Sequence, residues 1–203
     1  MTDGDPAARG LPPAIFLMGT IGAGKTTLGR ALARTLGGGH VEGDDFQQPP
    51  KPWFATSLST SRGVLGAVLA LAAQGRPAVV SYPLRCREWI FFRGRLAKLG
   101  IGAAFVSLVA AREAILAPAR GRIFTAAERR RIVEMLDQGY GDRRFADLVV
   151  RTDLGTADEA LAQLAGGLER LGFLRSPFDH STGDGAGSGS GSGSGKCQTI
   201  RPL

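Results

Sequence analysis

The sequence has few cysteines and no long hydrophobic run, and each shortage excludes a class of protein. Its two cysteines, Cys86 and Cys197, lie far apart without metal-ligand spacing, so we expect no disulfide scaffold and a reducing compartment. No apolar run approaches the length of a membrane span, and residues 1–6 have no signal-peptide character. We therefore expect a cytoplasmic protein without a membrane segment.

Acidic residues are outnumbered by basic ones. The chain has 25 lysines and arginines against 18 aspartates and glutamates, a formal net charge of +7 and a pI near 10.2. This excess suits an enzyme that handles anionic phosphates and also a nucleic-acid binder, and charge alone does not choose between them. Nothing in the sequence resembles a basic face with interleaved aromatics, so charge is the only support for nucleic-acid binding.

What the sequence does contain is a phosphate-binding loop. Residues 19–26, GTIGAGKT, match G-x-x-x-x-G-K-[ST] at every fixed position, between an apolar strand pattern and a helical pattern. Glycines let the backbone wrap a polyphosphate with its N–H groups inward, and the following helix presents its positive dipole end. We expect ATP and Mg²⁺ as ligands, with Lys25 reaching the outer phosphates. The predicted nucleotide contacts are Gly19, Ile21, Gly22, Ala23, Gly24, Lys25, Thr26 and Thr27.

Three acids follow at the end of a predicted second strand over residues 40–45: Glu42, Asp44 and Asp45. In open parallel sheets, ligands bind beyond the carboxyl ends of the strands, so these carboxylates would face the same crevice as the loop. One acid would orient Mg²⁺, and another would accept the proton of an attacking hydroxyl. A solvated turn is the alternative interpretation. The candidate metal site is Thr26, Glu42 and Asp44.

The rest of the chain alternates between strand and helix patterns. Strands are predicted near residues 77–82, 103–109 and 146–151, and capping boxes at 125–128 and 156–159 open two helices. Residues 46–61 are rich in proline and predict a loop beside the site, before a helix that starts near residue 59. The sequence thus predicts an α/β domain with a five-stranded parallel sheet and helices on both faces. The residues predicted to face the core are Leu28, Leu32 and Leu36 in the helix after the loop, Leu65, Leu69 and Ala72 or Ala73 in the helix from residue 59, and Leu161, Leu164, Leu168 and Leu171 in the last one.

The glycine loop, the acids at the next strand end and the arginine-rich break before a capping box together resemble the small P-loop metabolite kinases, in particular gluconate kinase and shikimate kinase. The resemblance covers about residues 13–172. It implies a three-layer P-loop kinase fold with an arginine-bearing lid, and ATP-dependent phosphorylation of a hydroxyl. Glu42 takes the position of an aspartate that orients Mg²⁺ through water. Asp44 falls on the position of the catalytic base, with Asp45 as the second candidate.

The same resemblance extends to the arginines. Arg120 and Arg122 lie where the family's lid closes over ATP, and a planar guanidinium suits the charge that spreads over a transferring phosphoryl group. Arg85 falls in the acceptor pocket by resemblance alone. Arg143 and Arg144, which stand before the fifth strand, are further candidate contacts to the acceptor. Arg62 either points at the site or is an exposed arginine without a role.

This sequence differs from the shikimate kinase and gluconate kinase patterns at two places that bear on the acceptor. The glycine triplet of shikimate kinases is absent after the third strand, and Phe46-Gln47 stands where gluconate kinases usually have a histidine. We therefore expect an acceptor other than shikimate or gluconate.

The composition changes sharply after residue 174. We expect a flexible N-terminus over residues 1–12, one domain over 13–175, a flexible Gly/Ser linker over 176–195 that looks engineered, and an appended peptide over 196–203. A tether would raise the effective concentration of this octapeptide at a site on the domain. A second hypothesis is therefore a kinase that phosphorylates or binds a peptide or protein partner, with Thr199 as acceptor. A cloning remnant without function is the remaining interpretation.

Overall fold

The computed structural model describes residues 11–47, 53–117, 122–141 and 143–174. A short 3₁₀ helix, Gly43–Phe46, follows the second strand. The elements in chain order are β1 (Ala14–Met18), α1 (Lys25–Thr35), β2 (Gly39–Glu42), α2 (Trp53–Ala73), β3 (Ala78–Ser81), α3 (Cys86–Lys98), β4 (Ala103–Val109), α4 (Arg112–Leu116), α5 (Ala126–Asp137), β5 (Leu148–Arg151) and α6 (Ala157–Arg170).

The five strands form one parallel sheet in the order β2-β3-β1-β4-β5. The central strand β1 pairs on both sides, with Phe16 opposite Val80 on β3 and Phe105 on β4. The chain leaves β1 toward β2 and returns later to β4 on the other side. The carboxyl end of β1 is therefore the switch point of the sheet, where ligands of such folds bind. The predicted five-stranded parallel sheet is confirmed.

Helices cover both faces of this sheet, as predicted. On one face, α2 and α3 bury an aromatic core in which the Phe16 ring lies 4.8 Å from Phe92 and 5.0 Å from Phe105 between centroids. On the other face, α1 and α6 bury a leucine-rich core that includes Leu32 and Leu164. A third, smaller cluster joins α4 and α5 beside the phosphate-binding loop. No described helix is long and apolar enough to cross a membrane.

Both predicted capping boxes are present. At α5, Thr125 Oγ1 accepts from the N–H of Glu128 at 3.2 Å, and Glu128 Oε2 accepts from the N–H of Thr125 at 2.9 Å. At α6, Thr156 and Glu159 make the same pair of bonds at 3.2 and 2.7 Å. Each box satisfies two N–H groups that the first turn of a helix leaves without partners.

Two details of the helices differ from the prediction. Helix α2 begins at Trp53, inside the predicted proline loop, because Pro52 stands directly before the first helical residue, where proline is tolerated. Its buried apolar positions are Val64, Val68 and Ala72. The predicted Leu65 and Leu69 lie one residue away and are partly buried, whereas Ala72, one of the two alternatives predicted for the next position, is buried.

The predicted buried stripe of α6 ends early. Leu164 and Leu168 are fully buried, but Leu171 is 43% exposed, because it lies at the C-cap beyond the last helical turn. The N-terminal residues 1–10, the linker and the octapeptide lie outside the described residues.

Candidate active site

The phosphate-binding loop takes its shape from glycines. Gly19, Gly22 and Gly24 have φ values of 141°, 79° and 92°, a region that no described non-glycine residue occupies. A Cβ on Gly19 would lie 2.5 Å from the carbonyl oxygen of Leu108, and one on Gly22 would lie 2.9 Å from the Phe124 ring. The loop backbone therefore lies directly against β4 and the segment before α5, in a form that a side chain at these positions would prevent.

Lys25 is the first residue of α1 and is partly buried. Its ammonium donates a hydrogen bond to the carbonyl oxygen of Thr20 at 2.8 Å. Burial lowers the pKa of Lys25 to about 8; the carboxylates of Asp44 and Glu42 raise it in part, and the nearby Arg122 lowers it. A cation that is partly removed from water gains from an anionic ligand.

The candidate metal ligands meet beside this lysine. Thr26 Oγ1 donates to Glu42 Oε2 at 2.8 Å, so the hydroxyl of α1 and the carboxylate at the end of β2 are already in contact. Burial raises the pKa of Glu42, and the bond from Thr26 opposes that shift. Mg²⁺ usually takes one or two protein oxygens and completes its octahedron with phosphate and water, which this oxygen pair fits. Among the described residues, no group of three or more His, Cys, Asp or Glu could hold a metal.

Asp44 and Asp45 follow in the 3₁₀ helix after β2. Both aspartates are exposed, but only Asp44 lines the cavity, and it accepts a hydrogen bond from Gln47 Nε2 at 2.6 Å. Gly43 brings this turn against β3, since a Cβ at Gly43 would overlap the ring of Tyr82. The turn thus fixes which of the two aspartates faces the phosphate-binding loop.

These groups line one cavity of about 720 Å³ at the carboxyl ends of the strands. Its far wall comes from the end of β5 and the start of α6, and Thr152 Oγ1 ties that wall to the loop by donating to the Ala23 carbonyl at 3.0 Å. The predicted residues that line it are Ile21, Gly22, Gly24, Lys25, Thr26, Thr27, Glu42, Asp44 and Arg122. The lining residues that the sequence did not predict are Leu28, Phe124, Glu128, Thr152, Gly155, Ala157 and Ala160.

Of the two predicted lid arginines, the structure describes Arg122. Its NH2 donates to Glu128 Oε1 at 2.9 Å, and its guanidinium carbon lies 5.0 Å from the centroid of the Phe124 ring. Arg120 lies outside the described residues, so the lid as a whole stays a prediction. The capping boxes were visible in the sequence as helix starts, but nothing in the pattern indicated that Glu128 would reach the cavity.

The predicted acceptor arginines do not line the phosphate cavity. Two of them meet at one tyrosine: Arg85 Nε donates to Tyr140 Oη at 2.7 Å, and the Arg143 guanidinium carbon lies 3.9 Å from the centroid of the Tyr140 ring. The Nε of Arg143 is buried without a hydrogen-bond partner. Arg62 is exposed on α2 and is absent from the cavity lining.

Tyr82 interacts electrostatically with Glu88, Asp44 and Tyr140. Burial raises the pKa of Tyr82 to about 12, with further contributions from the charges of Glu88 and Asp44 and from Tyr140. Glu88 is buried and accepts hydrogen bonds from Ser57 Oγ at 2.6 Å and from the N–H of Arg85 at 3.1 Å. Tyr82, Glu88 and Tyr140 were not predicted, because each comes from a different element and none belongs to a motif.

Ser81 and His40 form a small hydrogen-bond relay to the residue at the end of the phosphate-binding loop. Ser81 Oγ donates to the carbonyl oxygen of Lys25 at 3.0 Å and lies 2.9 Å from His40 Nε2. Since the serine proton goes to that carbonyl, His40 Nε2 is the donor of the second bond. Burial lowers the pKa of His40. The relay joins β2 and β3 to the first turn of α1 and gives His40 a structural role.

No protein-family model matches the sequence, and no curated protein is significantly similar to it. Solved structures do match. A gluconokinase from Sinorhizobium meliloti is 22% identical with a TM-score of 0.55, over 80% of this chain and 95% of that one. An APS kinase from Mycobacterium tuberculosis, in complex with AMPPNP and APS, is 19% identical with a TM-score of 0.58, over 79% and 99%.

A shikimate kinase from Acinetobacter baumannii, in complex with shikimate, is 20% identical with a TM-score of 0.53, over 79% of this chain and 94% of that one. At these identities the likeness is one of fold, and each match spans nearly the whole of the other chain. The five-stranded parallel sheet, the helices on both faces and the glycine loop at the switch point give this chain the fold of the P-loop kinases.

Proposed function

We propose that this chain is a kinase that uses ATP and Mg²⁺ to phosphorylate a hydroxyl group of a small polar metabolite. The observation that carries the proposal is that Lys25, Thr26, Glu42, Asp44 and Arg122 come from three separate stretches of the chain and line one cavity. A loop that binds phosphate, an oxygen pair suited to Mg²⁺, a carboxylate and a guanidinium are the parts that phosphoryl transfer requires.

Each residue has a role in this reaction. Loop N–H groups and Lys25 hold the outer phosphates, and Thr26 and Glu42 supply the oxygens for Mg²⁺, which when bound would neutralise phosphate charge. The acceptor oxygen forms a bond to the γ-phosphorus as the bond to the bridging oxygen breaks, which releases ADP. Asp44 takes the proton of the acceptor hydroxyl, and Arg122 stabilises the charge that spreads over the transferring oxygens.

The acceptor is proposed to carry an anionic group as well as its hydroxyl. Arg85 and Arg143 flank Tyr140, and the buried Nε of Arg143 has no hydrogen-bond partner, so a carboxylate or similar anion would complete this cluster. One of the matched structures contains shikimate, a hydroxy acid, and another is a gluconokinase. Because this sequence lacks the glycine triplet of shikimate kinases and has Phe46-Gln47 where gluconate kinases usually have a histidine, we still propose an acceptor other than shikimate or gluconate.

The test uses the purified chain, ATP labelled on the γ-phosphate, Mg²⁺ and a panel of sugar acids, other hydroxy acids and polyols. We expect transfer to an anionic member of the panel and none after chelation of Mg²⁺. Lys25→Ala should reduce turnover by at least about a hundredfold, because it removes the cation on the transferring group. An unchanged rate in that variant, or no binding of a magnesium nucleotide by calorimetry, would refute the proposal.

The same experiment examines the peptide alternative. Mass spectrometry of residues 196–203 after incubation with ATP would reveal phosphate on Thr199 if the tethered octapeptide were the acceptor. We expect no mark there. A phosphorylated Thr199 without transfer to any small molecule would replace the metabolite by a peptide or protein partner. The cytoplasmic location expected from the sequence remains a prediction.

A further inference from the structure

The two capping boxes are built alike but differ in one contact. In each, a glutamate at the third helical position accepts hydrogen bonds from the N–H and the hydroxyl of the N-cap threonine through Oε2. At α6, Glu159 has only this capping role among the bonds described. At α5, Glu128 uses its second oxygen, Oε1, to bind Arg122 NH2 at 2.9 Å. The capping function does not explain this extra contact between Glu128 and Arg122.

Both members of the extra contact line the phosphate cavity. The pair is half open to solvent, with the Arg122 side chain 56% exposed and that of Glu128 33% exposed. Because an exposed ion pair contributes little to the stability of the fold, a role in the cavity explains this contact better. Phe124, between the two, packs directly against Gly22 of the loop, which anchors this segment to the phosphate-binding backbone.

The electrostatics agree with an arginine that already faces the loop. Arg122 lowers the pKa of Lys25, so its charge acts on the phosphate-binding lysine. Hydrogen bonds from Thr125, followed by the bond from Arg122, lower the pKa of Glu128, which keeps this carboxylate ionised at neutral pH.

We infer that Glu128 is a positioning residue that holds the Arg122 guanidinium by NH2 at the mouth of the phosphate cavity, so that its other N–H groups are available to the transferring phosphoryl group. This inference rests on the proposed function, because Arg122 matters only if a phosphate is transferred there. An arginine with one end fixed loses less freedom when it engages the transition state, and such preorganisation raises kcat more than affinity. Glu128 itself is expected to make no contact with the nucleotide.

The experiment compares Glu128→Gln with Glu159→Gln. Glutamine also forms capping boxes, so both variants keep their helix starts, and only the first loses a carboxylate that binds an arginine. The readout is hydrolysis of MgATP to ADP and phosphate, with water in place of the acceptor, together with calorimetry of MgADP. We expect E128Q to lower kcat by about fivefold with little change in KM, and E159Q to match the wild type.

A double-mutant cycle separates positioning from any other role. If Glu128 acts through Arg122, E128Q should have no further effect on kcat in an Arg122→Ala background. Glu128→Asp serves as a second variant, because its shorter carboxylate cannot bind Thr125 and Arg122 together, and we expect it to lower kcat as well. Thermal unfolding of all variants checks that their folds are intact.

The outcomes are distinct. Equal effects of E128Q and E159Q, an unchanged kcat in E128D, or a full additional loss in the Arg122→Ala background would each overturn the inference while leaving the proposed kinase intact. A wild-type chain that neither binds MgADP nor hydrolyses MgATP would refute the proposed function, and the inference with it.

Discussion

The two halves of the candidate active site are built in different ways. The half that would hold the nucleotide is mostly one continuous stretch, residues 19–26, whose shape comes from backbone and glycines. The half proposed to bind the acceptor, the acceptor half, consists of side chains from separate segments: Asp44 after β2, Tyr82 and Arg85 after β3, and Tyr140 and Arg143 after α5. The first is local in sequence, and the second exists only after folding.

The two halves should tolerate substitutions at different positions. Backbone N–H groups bind phosphate whatever the neighbouring side chains are, so the nucleotide half is constrained mainly at its glycines and at Lys25. The acceptor half depends on which side chains project from a fixed scaffold. Substitutions there can change the substrate without changing the fold, which is how one fold serves several reactions. Mutations in the two halves should therefore give different kinetic signatures.

Asp44→Asn should give the largest difference between an effect on phosphoryl transfer and an effect on nucleotide binding. Loss of the base should lower the rate of transfer by about two orders of magnitude or more, while binding of magnesium nucleotide stays largely intact. Steady-state kinetics and calorimetry on the same preparation would test this. An equal loss of nucleotide binding would assign Asp44 to the nucleotide half.

Asp45→Asn is the matched variant for this prediction, since the two aspartates are adjacent and Asp44 is the one that lines the cavity. We expect a much smaller loss of kcat than in Asp44→Asn. A loss as large as that of Asp44→Asn would identify Asp45 as the base and reverse their roles.

A smaller effect is expected from Arg143→Lys in the acceptor half. The variant keeps the positive charge but loses the flat guanidinium that stacks on Tyr140 at 3.9 Å. We expect the KM for the acceptor to rise about tenfold, with kcat and nucleotide affinity nearly unchanged. Arg144→Lys is the control, because Arg144 is the next residue and is exposed. Equal effects of the two changes would show that charge alone, rather than this contact, serves the acceptor.

The smallest effect concerns pH and belongs to the nucleotide half. Lys25 has a pKa of about 8 when the cavity holds no phosphate, and a bound phosphate favours its protonated form. As the pH rises above 8, the free protein loses this proton and binding must restore it. Affinity for MgADP should therefore fall with rising pH, by at most about tenfold per unit. Calorimetry between pH 7 and 8.5, where the expected loss is about fourfold, would measure it.

Lys25→Arg provides the control for the pH profile, because its guanidinium stays charged throughout this range. We expect its affinity to vary less over the same interval. Identical profiles for the wild type and this variant would mean that Lys25 is not the group that titrates.

Much of the scaffold was predictable because its signals are periodic or local. The glycine loop, the strand over residues 103–109, the capping boxes and the leucines of α1 and α6 depend on neighbours a few positions away, where sequence patterns carry information. The start of α2 was predicted six residues too late, at 59 instead of 53, because its proline-rich entry resembles a loop. Its buried positions were wrong by one residue at Leu65 and Leu69 and right at Ala72, since an apolar, alanine-rich helix offers little contrast between its faces.

The amino-acid sequence by itself determined the fold class and the phosphate-binding loop, because alternating strands and helices admit few arrangements and the loop needs glycine at fixed positions. Tertiary structure alone decided that Arg85 and Arg143 meet at Tyr140, that Asp44 faces the cavity, and that Glu128 holds Arg122. Such contacts join segments far apart in the chain, or depend on where a side chain points. They are set by the packing of helices on the sheet, which no local pattern encodes.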